Sequence, residues 1–96
     1  MSQYRLSPQA RNSLIQISEY TKENFGEAQR IRYLETLRKR MRAVARQPES
    51  GKHRSEIKPG YYSVYVGSHT LYYRIQVEGI EIIDVLHQSM EPALNL

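Results

Sequence analysis

An α+β fold of order β-α-α-β-β-β, a helical hairpin packed on an antiparallel sheet, follows from three features of this sequence. Between Tyr61 and Met90, three stretches rich in β-branched and aromatic residues are separated by two tight reversals, each holding a glycine. Between Pro8 and Gln47, apolar residues recur every three to four positions, the period of helices laid on a core, with one break at Gly26. Ahead of both lies a short alternating segment, Gln3 to Leu6, that reads as a strand with Tyr4 and Leu6 on one side.

Ser7 caps the first helix and Pro8 takes its first position, where a missing N–H costs nothing. Ala10, Leu14, Ile17 and Tyr20 or Thr21 form its stripe, and Gly26 ends it. The second helix runs from about Glu27 to Gln47, with Ala28, Ile31, Leu34, Leu37, Met41 and Val44 in step, and Pro48 stops it. So short a connection makes the two helices antiparallel neighbours. Its outer surface is basic, with Arg30, Arg32, Arg38, Lys39, Arg40, Arg42 and Arg46 against Glu27 and Glu35. Pro48 to Gly60 reads as a loop of the length that often carries function, and the residues after Met90 as a short loose tail.

The reversals set the sheet register. Val66-Gly67-Ser68-His69 places Gly first in a two-residue loop, so Val66 faces His69, Val64 faces Leu71 and Tyr62 faces Tyr73. Val77-Glu78-Gly79-Ile80, read with Gly second, makes Val77 face Ile80, Ile75 face Ile82 and Leu71 face Leu86. Alternation then gives a core face of Val64, Val66, Leu71, Ile75, Val77, Ile80, Ile82 and Leu86, joined by Tyr62, His69, Tyr73 and Asp84. The half-wet face carries Tyr61, Ser63, Tyr65, Thr70, Tyr72, Arg74, Gln76, Glu81 and His87, with Ile83 and Val85. A single β-bulge would exchange part of these sets.

The 96 residues suit one domain, residues 1–96. The lack of cysteine excludes disulfides and thiolate metal sites and suits the cytoplasm. No apolar run approaches the ~20 residues of a membrane span, and the start MSQYRLS lacks the apolar core of a signal peptide. A net charge of +4 is compatible with an acidic partner or nucleic acid.

Little of the chemistry that motifs announce is present. With His69 and His87 assigned to opposite faces and no Cys, no metal site is expected, nor any cofactor. There is no nucleophile elbow, Walker loop or dinucleotide fingerprint. A ribonuclease needs a base, an acid and a cation, for which His87, Arg74 and Tyr65 are the candidates on the half-wet face. Arg74 opposite Ile83 stands about 13 Å along the strand from His87, too far for a neat site on one phosphate. The eight tyrosines supply apolar area with polar tips, suited to a binding surface or to covering a small sheet.

The order and spacing of Leu6-Ser7-Pro8, of Pro48, Gly51, Arg54 and Ile57-Lys58-Pro59-Gly60-Tyr61, of Gly67-Ser68-His69 with Tyr73-Arg74, and of Val85-Leu86-His87-Gln88-Ser89-Met90 resemble the ParE toxins of the RelE/ParE toxin–antitoxin superfamily. The resemblance covers nearly the whole chain. It implies two helices on a curved antiparallel sheet, and a bacterial toxin that poisons DNA gyrase and blocks replication. It also implies neutralisation by a ParD-like antitoxin whose C-terminal segment wraps the toxin, and through which alone operator DNA is bound. Lys52, Arg54, Lys58, Arg74, His87, Ser89 and Met90 are the expected gyrase-facing residues. The hairpin's exposed flank and a sheet edge are the expected antitoxin contacts. RelE relatives instead cut mRNA on the ribosome, and this chain lacks their clustered Arg/Lys and terminal Tyr. It also carries Asp84 where many ParE relatives have Arg.

Overall fold

Strand β1 (Gln3–Leu6) turns into helix α1 (Pro8–Phe25) at Ser7, whose hydroxyl works in two directions. Its oxygen accepts the Ala10 N–H at 3.0 Å, and its proton goes to the Ile83 carbonyl at 2.6 Å. The cap therefore also pins the helix start to the sheet. Gly26 separates α1 from α2 (Glu27–Arg46). There follow a 3₁₀ turn (Pro48–Ser50), β2 (Lys52–His53), β3 (Tyr61–Val66), β4 (His69–Gln76), β5 (Gly79–His87) and a short α3 (Pro92–Asn95). The computed structural model describes residues 3–96; the first two, part of the start read above as leaderless, lie outside the described residues.

The strands lie in the order β1-β5-β4-β3-β2. The β3–β4 register is the expected one, Val66 against His69 through Tyr61 against Arg74. The sheet is mixed, however, because β1 runs parallel to β5. The helical hairpin returns the chain to the end of the sheet where β1 began, so β3, and two reversals later β5, repeat β1's direction. Two stretches expected to be irregular are ordered: Lys52 and His53 pair with Ser63 and Tyr62 as an edge strand, and the tail folds into α3. Gln9 holds that tail, donating from its side-chain amide to the Asn95 carbonyl at 2.9 Å.

The second hairpin departs from the expected register. Its loop is Val77-Glu78, with Gln76 opposite Gly79 and Ile75 opposite Ile80. Gly79 is thus a strand residue at φ 156°, and a side chain there would collide with the Gln3 carbonyl of β1. The glycine answers a close strand approach, not a turn. Val77, expected in the core, is fully exposed at the loop, and Ile75 is exposed near it.

Farther along, Tyr73 faces Ile82 but Tyr72 faces Asp84, leaving Ile83 as an extra residue. Beyond this bulge Leu71 faces Val85, and Leu86 faces Thr70. Val85, not Leu86, therefore joins the helix-side core of Ala10, Leu37, Met41, Val44, Leu71, Tyr73, Ile80 and Ile82. Asp84 also turns under α1, where Ser13 donates to it at 2.5 Å, Gln9 at 2.7 Å and the Val85 N–H at 2.7 Å. A buried carboxylate with three donors is satisfied without a cation. In α2 the buried stripe is Leu37, Met41, Val44 and Ala45, while Ala28 and Ile31, expected in that stripe, are exposed.

Tyr73 is fully buried, yet its phenol is paired twice: it donates to the Pro48 carbonyl at 2.7 Å and accepts the Gly51 N–H at 3.1 Å. This joins the end of α2 to the sheet centre. Tyr73→Phe leaves both backbone groups without a partner and is expected to cost about 1–3 kcal/mol. Urea unfolding followed by circular dichroism measures it, and an unchanged midpoint would deny the phenol this role.

Candidate functional site

The β3–β4 loop, Gly67-Ser68, lies against α2 because Gly67 has no side chain. At φ 56° it takes a left-handed conformation, and a Cβ there would lie 2.7 Å from the Tyr33 ring. The Tyr33 hydroxyl accepts the Ser68 N–H at 3.1 Å and lies 2.6 Å from His69 Nδ1. The direction of the Tyr33–His69 hydrogen bond is set by the imidazole tautomer: the phenol donates to a bare Nδ1, or accepts from Nδ1–H with its own proton toward the Val66 carbonyl at 3.5 Å.

The bulge places His87 directly opposite His69, with ring centroids 5.5 Å apart and nearly perpendicular. The assignment of the two histidines to opposite faces is therefore wrong. One extra residue in β5 moved His87 to the helix side. His87 Nδ1 lies 3.1 Å from the Ser89 N–H and 2.8 Å from its hydroxyl, which holds the ring at the strand end. His69 is pushed down to about 4, first by burial and then by the charge of His87. Burial raises the Tyr33 phenol. At neutral pH the Tyr33–His69 pair is thus uncharged.

These side chains line a cleft of about 630 Å³ between α1, the start of α2, the β3–β4 loop and the end of β5. Ile17, Tyr20, Phe25, Val85 and Met90 make its apolar wall. No Lys or Arg is among its described lining residues. Nor, among the described residues, do three or more His, Cys, Asp or Glu side chains gather as a metal site. The cleft can take an apolar segment and offer it two imidazoles and a few hydroxyls for hydrogen bonding.

The candidate residues divide between two places. His87 and Met90 line the cleft, and Ser89 holds the His87 ring beside it. Arg74 sits opposite Glu81 on the outer sheet face and is ion-paired to it at 2.8 Å. Five residues of β4 separate Arg74 from the His69–His87 pair, roughly 17 Å along the strand. Tyr65 is exposed on that outer face opposite Thr70. The triplet His87, Arg74 and Tyr65 is therefore not assembled. Arg54 donates to Ser63 at 3.2 Å, pairs with Glu56 at 2.6 Å and covers Tyr72, its guanidinium 5.5 Å from the ring centre. Lys52 and Lys58 are exposed nearby. Tyr33 was absent from every candidate set, although its place four residues before Leu37 puts it on the buried side of α2.

Residues 4–92 match a family model described as the ParE toxin of the type II toxin–antitoxin system parDE. The chain is 41% identical over 96 residues to toxin ParE1 of Mycobacterium tuberculosis (strain CDC 1551 / Oshkosh), spanning 99% of this chain and 98% of that one. To toxin ParE1 of Caulobacter vibrioides it is 35% identical, spanning 100% and 99%. A chain from a chromosomal ParDE TA system of P. aeruginosa shares the fold at a TM-score of 0.77 and 13% identity, spanning 91% of this chain and 96% of that one.

The depressed His69 has a consequence for stability. Because its folded value lies below the ordinary 6.5, the unfolded chain binds the extra proton first. The contribution is complete above about pH 6.5 and is lost as pH falls toward 4. His69→Gln should flatten the decline of the urea midpoint across that window. An identical decline in both proteins contradicts the buried neutral imidazole.

Proposed function

The chain belongs to the ParE toxin family of type II toxin–antitoxin systems, and from that premise we propose that it arrests growth by binding DNA gyrase. One observation carries the choice of binding over cleavage: the paired histidines stand in a cleft without a cation among its described lining residues. Phosphodiester cleavage places extra negative charge on the phosphate, and a site built for it sets a positive group there. Arg74, the residue suited to that task by sequence, is on the other face and neutralised by Glu81.

The proposed gyrase contact has two parts, His87, Ser89 and Met90 at the cleft and Lys52, Arg54, Lys58 and Arg74 on and beside the outer sheet face. A target as large as gyrase can span both. A ParD-like antitoxin would cover the cleft and the exposed Tyr20 and Phe25 on its rim, and could add a strand beside β1 at the sheet edge. It would also read the operator DNA. This function places the chain in the cytoplasm, and no helix among the described residues is long and apolar enough to cross a membrane.

Purified toxin should stop gyrase supercoiling of relaxed plasmid or accumulate cleaved gyrase–DNA complexes, and antitoxin should reverse either effect. Undiminished supercoiling with toxin in excess refutes the proposal.

The closeness of Tyr33, His69 and His87 favours a second reading, a ribosome-dependent mRNA endoribonuclease of the RelE type. It predicts codon-positioned cuts in a translation reaction that disappear in His87→Ala. Intact message in the presence of active toxin excludes it.

A further inference from the structure

The charge of the chain is concentrated in one segment. Residues 32–58 hold nine of the fourteen Lys and Arg but three of the ten Asp and Glu, a formal +6; the rest holds five cations and seven acids, a formal −2. The segment comprises most of α2, the 3₁₀ turn, β2 and the linker to β3. It runs from near the histidine cleft to the opposite end of the sheet.

Few of these cations are neutralised locally. Glu35 is shared by Arg42 at 2.9 Å and Arg38 at 3.9 Å. Arg32 meets the Gln29 side chain, and Arg32, Lys39, Arg40 and Arg46 have no carboxylate partner among the described residues. Arg32, Lys39 and Arg46 are exposed and seven residues apart. On a helix, seven residues return to within about 20° of the same direction and advance about 10.5 Å. The three make a straight ridge roughly 21 Å long on a rigid rod.

We propose that this ridge binds the phosphate backbone of duplex DNA. Single-stranded nucleic acid is held by stacking bases on exposed aromatic rings. Tyr33 is the aromatic residue of α2, and it is turned into the cleft and committed to Ser68 and His69. The ridge offers charge without stacking, which suits a continuous double-stranded backbone and confers no sequence preference. This goes beyond gyrase binding and does not depend on it. In an operator complex it would add phosphate contacts to whatever the antitoxin reads, and on gyrase it would favour the DNA-loaded enzyme.

The test is fluorescence anisotropy of a labelled 20-base-pair duplex with the full chain. Three to four phosphate contacts predict that binding weakens about 40- to 150-fold between 50 and 200 mM salt. Arg32→Gln/Lys39→Gln/Arg46→Gln should remove most of that salt dependence and at least tenfold of the affinity at 50 mM. Arg5→Gln/Arg11→Gln/Lys22→Gln loses the same net charge elsewhere and should bind nearly as the parent does. Circular dichroism verifies that both variants are folded. Equal losses in the two variants, or no binding at 50 mM salt, overturn the proposal. So does tighter binding of single-stranded RNA or of polyglutamate than of the duplex.

Discussion

One surplus residue in β5 decides how this molecule presents its functional groups. Ile83 has no partner on β4, and past it two successive residues, Asp84 and Val85, both face the helices, so that Val85 joins the core in place of Leu86. The Asp84 carboxylate is buried, and Ser13 and Gln9 of α1 satisfy it. The same shift carries His87 to the helix side, opposite His69. Without the bulge the two imidazoles would be separated by the thickness of the sheet, and the cleft would lose one of its polar walls.

Much of the architecture was legible because local chemistry and long-range packing agree. Ser7-Pro8 begins a helix, Gly26 divides two, and Gly67 sets a two-residue loop whose register holds along all of β3. The second hairpin was misread because a glycine there serves two possible ends, a turn or a close strand approach, and only the position of β1 distinguishes them. The bulge had left a trace: Ile82-Ile83 and Val85-Leu86 are apolar doublets on either side of Asp84, which strict alternation does not produce. β2 had no such trace, since its two residues depend on β3 for their shape.

The cleft and the basic segment divide the surface by chemistry. The cleft joins apolar walls to imidazole and hydroxyl tips, a surface that gains from burying a folded segment of another protein. The cations lie along α2 and the linker, where they are screened by salt and act at a distance. The Tyr73 phenol ties the linker that carries part of the charge to the sheet that carries the cleft, so the two surfaces of unlike character are held together.

The face on which His87 lies is the central structural claim, and proton NMR at neutral pH reads it directly. Nuclear Overhauser cross-peaks should connect the His87 ring to the His69 ring, and the Leu71 methyls to those of Val85. Cross-peaks from His87 to Tyr65 and Thr70, with Leu71 facing Leu86, would mean an unbroken strand and would contradict the cleft described above.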